Sequence, residues 1–98
     1  MNVIEIINKY YTQGRQLDIL LTHSRSVADK ALQIAALHPE LHLDETFMEE
    51  AAMVHDIGIF LTNAHGIDCV GSEPYICHGY LGAELIRKEG FPRHALVC

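Results

Sequence analysis

The first part of the chain places hydrophobic residues at the spacing of amphipathic helices. One stripe stops near Gly14 and consists of Val3, Ile4, Ile6, Ile7, Tyr10 and Tyr11. Another runs along one side of the segment from about Arg15 to Leu37 and consists of Leu20, Val27, Ala31 and Ile34. Because residues three or four positions apart share a helix face, both segments are predicted to be helices, the second ended by Pro39. His23 falls on the second stripe and is predicted to point inward.

The middle of the chain predicts a third helix followed by a loop. Thr46 and Glu49 have the spacing of a capping box, which marks the start of a helix. The hydrophobic residues that follow predict a helix that continues through His55. Glycine, proline, asparagine and serine then interrupt the pattern between Thr62 and Pro74, which predicts a loop of a length that often carries function.

Two further helices are predicted after this loop. The fourth runs from about Tyr75 to Glu89 and is capped by Gly90. Its inward residues are predicted to be Leu81, Leu85 and Ile86. Pro92 suits the first position of a fifth helix, which is still hydrophobic and unfinished at Cys98. We therefore expect one domain that is incomplete at its C-terminal end, or that another chain completes, for example in a homo-oligomer.

The composition narrows the class of protein and of partner. Hydrophobic residues make up 49% of the 98 residues, enough for one core. With no repeat and no strand alternation, the predicted fold class is all-α, a compact helical bundle. The formal charge is -6 and the Lys and Arg residues are scattered, which excludes a basic surface for a nucleic acid duplex or an anionic membrane. A small phosphorylated compound stays open as a partner, because a bound cation reverses the local field.

The cysteines and the first residues favour a cytoplasmic protein. Cys69, Cys77 and Cys98 are odd in number and form no Cys-x-x-Cys pair, so we expect reduced, structural thiols. The first eleven residues contain Glu5 and lack the basic segment of a signal peptide. No uncharged hydrophobic stretch approaches the roughly 18 residues of a membrane helix.

The segment His55-Asp56-Ile57-Gly58 carries the strongest chemical signal. Adjacent histidine and aspartate side chains lie about 100° apart on a helix and can converge on one ion. An imidazole and a carboxylate together suit Fe, Mn, Zn or Ni and, with water, Mg. His23, on the helix expected to pack against the third one, is the natural third ligand. His78 and His94 begin the two later helices and are further candidates at the same end of the bundle.

Together with His23, the segment Ala51-Ala52-Met53-Val54-His55-Asp56-Ile57-Gly58 resembles the His-Asp domain superfamily of metal-dependent phosphohydrolases, in the branch marked by His-Asp-Ile-Gly. The resemblance spans roughly residues 22–98. It implies a helical fold in which His23, His55 and Asp56 hold a divalent metal, with His78 and His94 as ligands of a second ion. It also implies hydrolysis of a phosphoester or phosphoanhydride bond in a small, nucleotide-like substrate, with His55 and Asp56 at the centre of catalysis.

Two departures from the family pattern leave other functions open. Members usually close the metal site with a downstream aspartate, and the only later aspartate here is Asp68, in the predicted loop. Many members place Lys after the glycine, where this chain has Ile59. Either another basic residue, such as Arg25, binds the phosphate, or the substrate differs. The alternatives are a catalytically silent metal- or ligand-binding regulatory module, and histidines that only stabilise the core.

Several other polar residues have simpler interpretations. His38, His42 and His65 lie beside turn residues and are predicted on the surface. His65 lies in the long loop, where lining the entrance of the site is the alternative. The spacing of Cys69 and Cys77 lacks the paired knuckles of a structural zinc site. Gly79 and Gly82, in the fourth helix, are predicted to allow close helix packing rather than to bind phosphate. Three basic residues flank Gly90 and are predicted to be a solvated helix end that complements the helix dipole, with phosphate binding as the alternative: Arg87, Lys88 and Arg93.

Overall fold

The computed structural model describes residues 1–12, 14–64 and 69–98. The α-helices of these residues are, in chain order, α1 (Val3–Tyr10), α2 (Arg15–Leu37), α3 (Glu45–Val54), α4 (His78–Lys88) and α5 (Pro92–Ala95). Short 3-10 helices lie between them at Pro39–Leu41, Ile57–Leu61 and Tyr75–Cys77. Two strands of two residues each, β1 (Asn63–Ala64) and β2 (Cys69–Val70), pair antiparallel. The predicted all-α class is confirmed, with this small hairpin inside the predicted loop.

Helix α1 is the first predicted helix and seals one side of the core. The side chain of Asn2 caps it by accepting a hydrogen bond from the backbone N–H of Glu5 at 3.1 Å. Ile6 and Ile7 are buried, and Tyr11 is buried directly after the helix. The side chains at the centre of the core are fully buried and are Ile7, Val54, Ile57 and Ile86.

Helix α2 has the predicted bounds but a different buried face. Its buried residues are Leu17, Leu20, Ser24, Ala28 and Ala35. Leu20 is buried as predicted, but Ile34 is 46% exposed and Val27 and Ala31 are only half-buried, so the buried face is rotated from the predicted stripe. The side chain of His23, which was predicted to point inward, is 51% exposed. Helix α2 packs chiefly against α3, where Ala28 meets Ala52 and Met53. We attribute the rotation to this close contact, which small side chains permit and which a ranking by hydrophobicity overlooks.

The capping box predicted for α3 is also wrong. The helix begins at Glu45, and Asp44 is its cap, because the Asp44 carboxylate accepts a hydrogen bond from the N–H of Phe47 at 3.0 Å. Thr46 therefore lies inside the first turn. The helix ends at Val54, so the adjacent His55 and Asp56 stand at the junction with the 3-10 helix Ile57–Leu61 rather than on a continuous α-helix.

The C-terminal helices begin near the predicted positions, but the end of the last one was predicted wrongly. The sequence predicts a helix still unfinished at Cys98, whereas α5 ends at Ala95 and the N–H groups that follow bond to carbonyls three residues back, as in a tightened turn. The segment that begins at Tyr75 is a 3-10 turn, and α4 proper starts at His78. Gly90 has a positive φ of 92° and its N–H donates to the carbonyl of Arg87, which confirms it as the cap of α4. Pro92 is the first residue of α5, as predicted. Ile86 is fully buried, whereas Leu81 and Leu85 are only half-buried.

Two glycines let α4 touch the 3-10 helix that follows Asp56. A Cβ atom on Gly58 would overlap the carbonyl oxygen of His78 and the N–H of Gly82. A Cβ atom on Gly82 would lie 3.1 Å from the backbone nitrogen of Gly58. The predicted role of Gly82 in close packing fits this geometry, which brings the first residue of α4 next to Asp56. Within the described ranges, no helix combines the length and apolar character needed to span a bilayer.

Candidate metal centre

Three histidines surround the carboxylate of Asp56. The Nε2 atom of His23 lies 3.0 Å from Oδ2, and the Nε2 atom of His55 lies 3.2 Å from the same oxygen. The Nε2 atom of His78 lies 3.3 Å from Oδ1. These side chains come from α2, from the end of α3 and from the start of α4, so the cluster exists only in the folded chain.

The geometry of a single-ion site is formed by three of these residues. Each of His23, His55 and Asp56 offers one ligand atom, and these three atoms lie within 4.8 Å of one another. The two rings are tilted against each other, with centroids 5.6 Å apart. Imidazole nitrogens and a carboxylate oxygen are donors that divalent transition metals accept. The residues therefore fit a divalent cation, and His78 approaches the other oxygen of the same carboxylate.

Contacts with backbone carbonyls determine which ring nitrogen carries the hydrogen in two of the histidines. The Nδ1 of His55 faces the carbonyl oxygen of Ala52, and the Nδ1 of His78 lies 2.7 Å from the carbonyl oxygen of Tyr75. Because a carbonyl only accepts, each Nδ1 carries the hydrogen, and the Nε2 of the neutral ring presents a lone pair. A lone pair facing a carboxylate is repulsive unless a proton or a cation lies between them. This arrangement is the one in which metal-bound histidines are oriented by a carbonyl behind them.

The contact between His55 and Asp56 shifts the pKa values of both side chains. The hydrogen bond with Asp56 raises the pKa of His55 above its ordinary value, although burial of the ring opposes the shift. The hydrogen bond from His55 lowers the pKa of Asp56, again against the effect of burial. Asp56 is therefore ionised at neutral pH, and positive charge from protons or from a cation compensates it.

The site is open on one side. The side chain of His23 is 51% exposed, whereas that of Asp56 is only 14% exposed. A cavity of about 240 Å³ lies next to these two residues. Its other walls are mostly apolar and consist of Tyr11, Gln16, Ile19, Leu20, Ile59, Cys69 and Tyr75. A ligand that enters this cavity would reach Asp56 past His23.

Two predicted site residues lie elsewhere. Arg25 contacts two carboxylates, with its Nε 3.0 Å from Oδ1 of Asp29 and a terminal nitrogen 2.9 Å from Glu49. The Nε2 of His94 lies 3.0 Å from Glu50 instead of approaching Asp56. The structure thus brings together His23, His55, Asp56 and His78, and it places Arg25 and His94 in other ion pairs.

The remaining predictions concern residues outside the cluster. His38 and His42 are exposed, as predicted. Burial raises the pKa of the Cys98 thiol to about 11, which fits the structural role expected of it. His65 and Asp68 lie outside the described residues.

The sequence interpretation missed the walls of the cavity. Gln16 and Tyr75 are far apart along the chain, and neither lies in a motif. Tyr11 carried a local signal, the position of a core residue, but nothing that indicated a partner for its hydroxyl group. Contacts of this kind depend on how the helices pack, which periodicity does not report.

Comparison with known proteins agrees with this geometry. A family model described as HD domain matches residues 20–98, which covers most of the chain and includes all four residues of the cluster. No curated protein and no solved structure matches the chain.

Proposed function

The chain belongs to the HD domain family. We propose that it is a divalent-metal-dependent phosphohydrolase, which cleaves a phosphoester or phosphoanhydride bond of a small, nucleotide-like substrate. The observation that carries the proposal is the convergence of three Nε2 atoms on the carboxylate of Asp56. The rings of His55 and His78 turn Nε2 towards this carboxylate while Nδ1 faces a backbone carbonyl, which is how metal-bound histidines are oriented.

The roles of the residues follow from their positions. His23, His55 and Asp56 hold the cation, which when bound polarises a phosphoryl oxygen and lowers the pKa of water. His78 lies on the Oδ1 side of the carboxylate, where its Nε2 atom is placed to exchange a proton with the leaving oxygen. The exposed edge of His23 leaves room for the phosphoryl group at the mouth of the cavity.

The cavity receives the organic part of the substrate. At about 240 Å³ it has room for a ring system the size of a nucleobase, and its walls are mostly apolar. Tyr75 offers an aromatic face for stacking, and the Gln16 side chain offers an amide for hydrogen bonds. We therefore expect an uncharged planar group here and the phosphate next to Asp56.

The test combines metal analysis with a screen of phosphoesters. The purified protein is expected to bind a divalent ion from among Fe, Mn, Zn, Ni and Mg, and to release phosphate from at least one member of a nucleotide panel. Asp56→Asn keeps the shape of the side chain but removes its charge, so it should lose both properties. Asp29→Asn, in the exposed pair with Arg25, is the matched control. An active Asp56→Asn protein would contradict the proposal.

A second function is supported by the lining of the cavity. Among the described residues that line it there is no Lys or Arg to bind phosphate, and Arg25 is occupied by Asp29 and Glu49. This favours a catalytically silent module that binds a metal or a ligand and regulates another protein. Such a module would bind metal and nucleotide in the same assays without releasing phosphate.

A further inference from the structure

The hydroxyl group of Tyr11 makes two hydrogen bonds to the segment that follows Asp56. It donates to the carbonyl oxygen of Ile57 at 2.8 Å and accepts from the N–H of Phe60 at 3.1 Å. The two partners lie in the 3-10 helix Ile57–Leu61. One side chain from the N-terminal part of the chain thus holds this short helix at two points.

The backbone of Asp56 is tied to this 3-10 helix. The residue lies beyond the end of α3, with φ -104° and ψ 14°, outside the regular helical region. Its carbonyl oxygen accepts a hydrogen bond from the N–H of Ile59 at 3.1 Å, so its position is tied to the 3-10 helix. A displacement of that helix would move the carboxylate relative to His23, which stands on a different element.

We propose that Tyr11 is a positioning residue of the metal centre, whose hydroxyl group holds Ile57–Leu61 in the place that aligns Asp56 with His23 and His55. The inference rests on the proposed metal site and adds a residue that is not one of its ligands. Tyr11 also lines the cavity beside Asp56, so the same side chain borders the bound ligand.

Burial and ring packing hold the Tyr11 side chain in place. The residue is 3% exposed, and its ring packs edge-on against Phe60 with centroids 5.1 Å apart. Burial raises the pKa of Tyr11 well above its ordinary value, so the hydroxyl keeps its proton and remains a donor. Removal of the oxygen alone would leave the ring in place and the two backbone groups without this partner.

The test compares two tyrosines of adjacent position. Tyr11→Phe removes the hydroxyl that holds the 3-10 helix. Tyr10→Phe is the matched control, because the Tyr10 hydroxyl donates to Glu89 at 2.8 Å and its ring also packs near Phe60. The dissociation constant for Mn²⁺ or Zn²⁺ is measured for each protein, together with the melting temperature in chelator.

Mutation of a residue that orients metal ligands without binding the metal typically lowers metal affinity by about 10- to 100-fold. We expect the metal dissociation constant of Tyr11→Phe to rise on the order of tenfold, and that of Tyr10→Phe to stay within about twofold. A lower melting temperature in Tyr11→Phe with unchanged metal affinity would mean that the hydroxyl only stabilises the fold, and would overturn the inference. A wild-type protein that binds neither ion would overturn the proposed function as well.

If the Tyr11→Phe protein does not fold, a second measurement on the wild-type protein tests the same inference. Amide hydrogen exchange of Phe60 in the wild-type protein reports directly on the hydrogen bond to Tyr11. If the hydroxyl and the metal site are coupled, binding of Zn²⁺ must stabilise this contact in turn. We expect slower exchange of the Phe60 amide in the loaded protein, and equal exchange with and without Zn²⁺ would overturn the inference.

Discussion

Gly58 and Gly82 touch at a point where a Cβ atom on Gly58 would overlap backbone atoms of α4 and a Cβ atom on Gly82 would lie 3.1 Å from the backbone nitrogen of Gly58. This contact joins the 3-10 helix after Asp56 to the start of α4, and it explains how His78 comes within 3.3 Å of Oδ1. The geometry of the metal centre therefore depends on two residues that carry no chemistry of their own.

The first prediction concerns this glycine contact. Gly58→Ala would place a methyl group against backbone atoms of His78 and Gly82, which cannot move aside as a side chain can. We expect it to lower the free energy of unfolding by about 1–3 kcal/mol and to weaken metal binding as well. Gly82→Ala, whose Cβ meets its nearest atom at 3.1 Å, should have the smaller effect of the two. Thermal melting and metal titration check both variants, and equal stability of Gly58→Ala and wild type would contradict the contact.

The second prediction compares His78 and His94, which the sequence predicts to be metal ligands alike. His78 contacts Asp56, whereas His94 contacts Glu50. We expect His78→Gln to weaken metal binding and His94→Gln to leave the number of bound ions unchanged. Elemental analysis and titration with Zn²⁺ measure the difference. Loss of an ion in His94→Gln would show instead that His94 is a ligand.

A third prediction addresses the suggested phosphate-binding role of Arg25. Its guanidinium group pairs with Asp29 and Glu49, and both pairs are exposed to solvent. We expect Arg25→Gln to leave metal affinity and the KM for a phosphoester unchanged. Its effect on stability should not exceed about 1 kcal/mol, because solvent screens exposed ion pairs. A large rise in KM with unchanged stability would restore the phosphate-binding role.

The fourth prediction is a pH dependence at the contact between α1 and the end of α4. The hydrogen bonds from Lys9 and Tyr10 lower the pKa of Glu89. A carboxyl group with a lowered folded pKa stabilises the protein above its unfolded pKa, and this contribution disappears as the pH falls through the folded value. The melting temperature of wild type should therefore exceed that of Glu89→Gln near neutrality, and the difference should shrink in acid.

Thermal melting of the two proteins between neutral and acidic pH measures this difference. Glu84→Gln, on the exposed side of α4, is the control for the loss of a carboxylate elsewhere on the same helix. A difference between wild type and Glu89→Gln that stays the same in acid would mean that the contact with Lys9 and Tyr10 contributes nothing through the charge of Glu89.

The helical class, the bounds of α2 and the importance of the pair His55-Asp56 could all be predicted from the order of residues along the chain. These features are local: a helix follows from spacing and capping within a few residues, as at Gly90 and Pro92. The cap of α3 shows the limit of such signals, since Asp44 and Thr46 are both suitable capping residues and only the observed hydrogen bond distinguishes them.

The tertiary structure decided which distant groups meet. His78 and His94 looked alike in the sequence, and packing brought only His78 to Asp56 while it placed His94 against Glu50. The same holds for the rotation of α2, which buries Ser24 rather than Ile34, and for the contact between Tyr11 and Ile57. The physical reason is that these contacts join segments far apart in the chain, and their energies depend on shape and close approach between helices rather than on hydrophobic spacing within one.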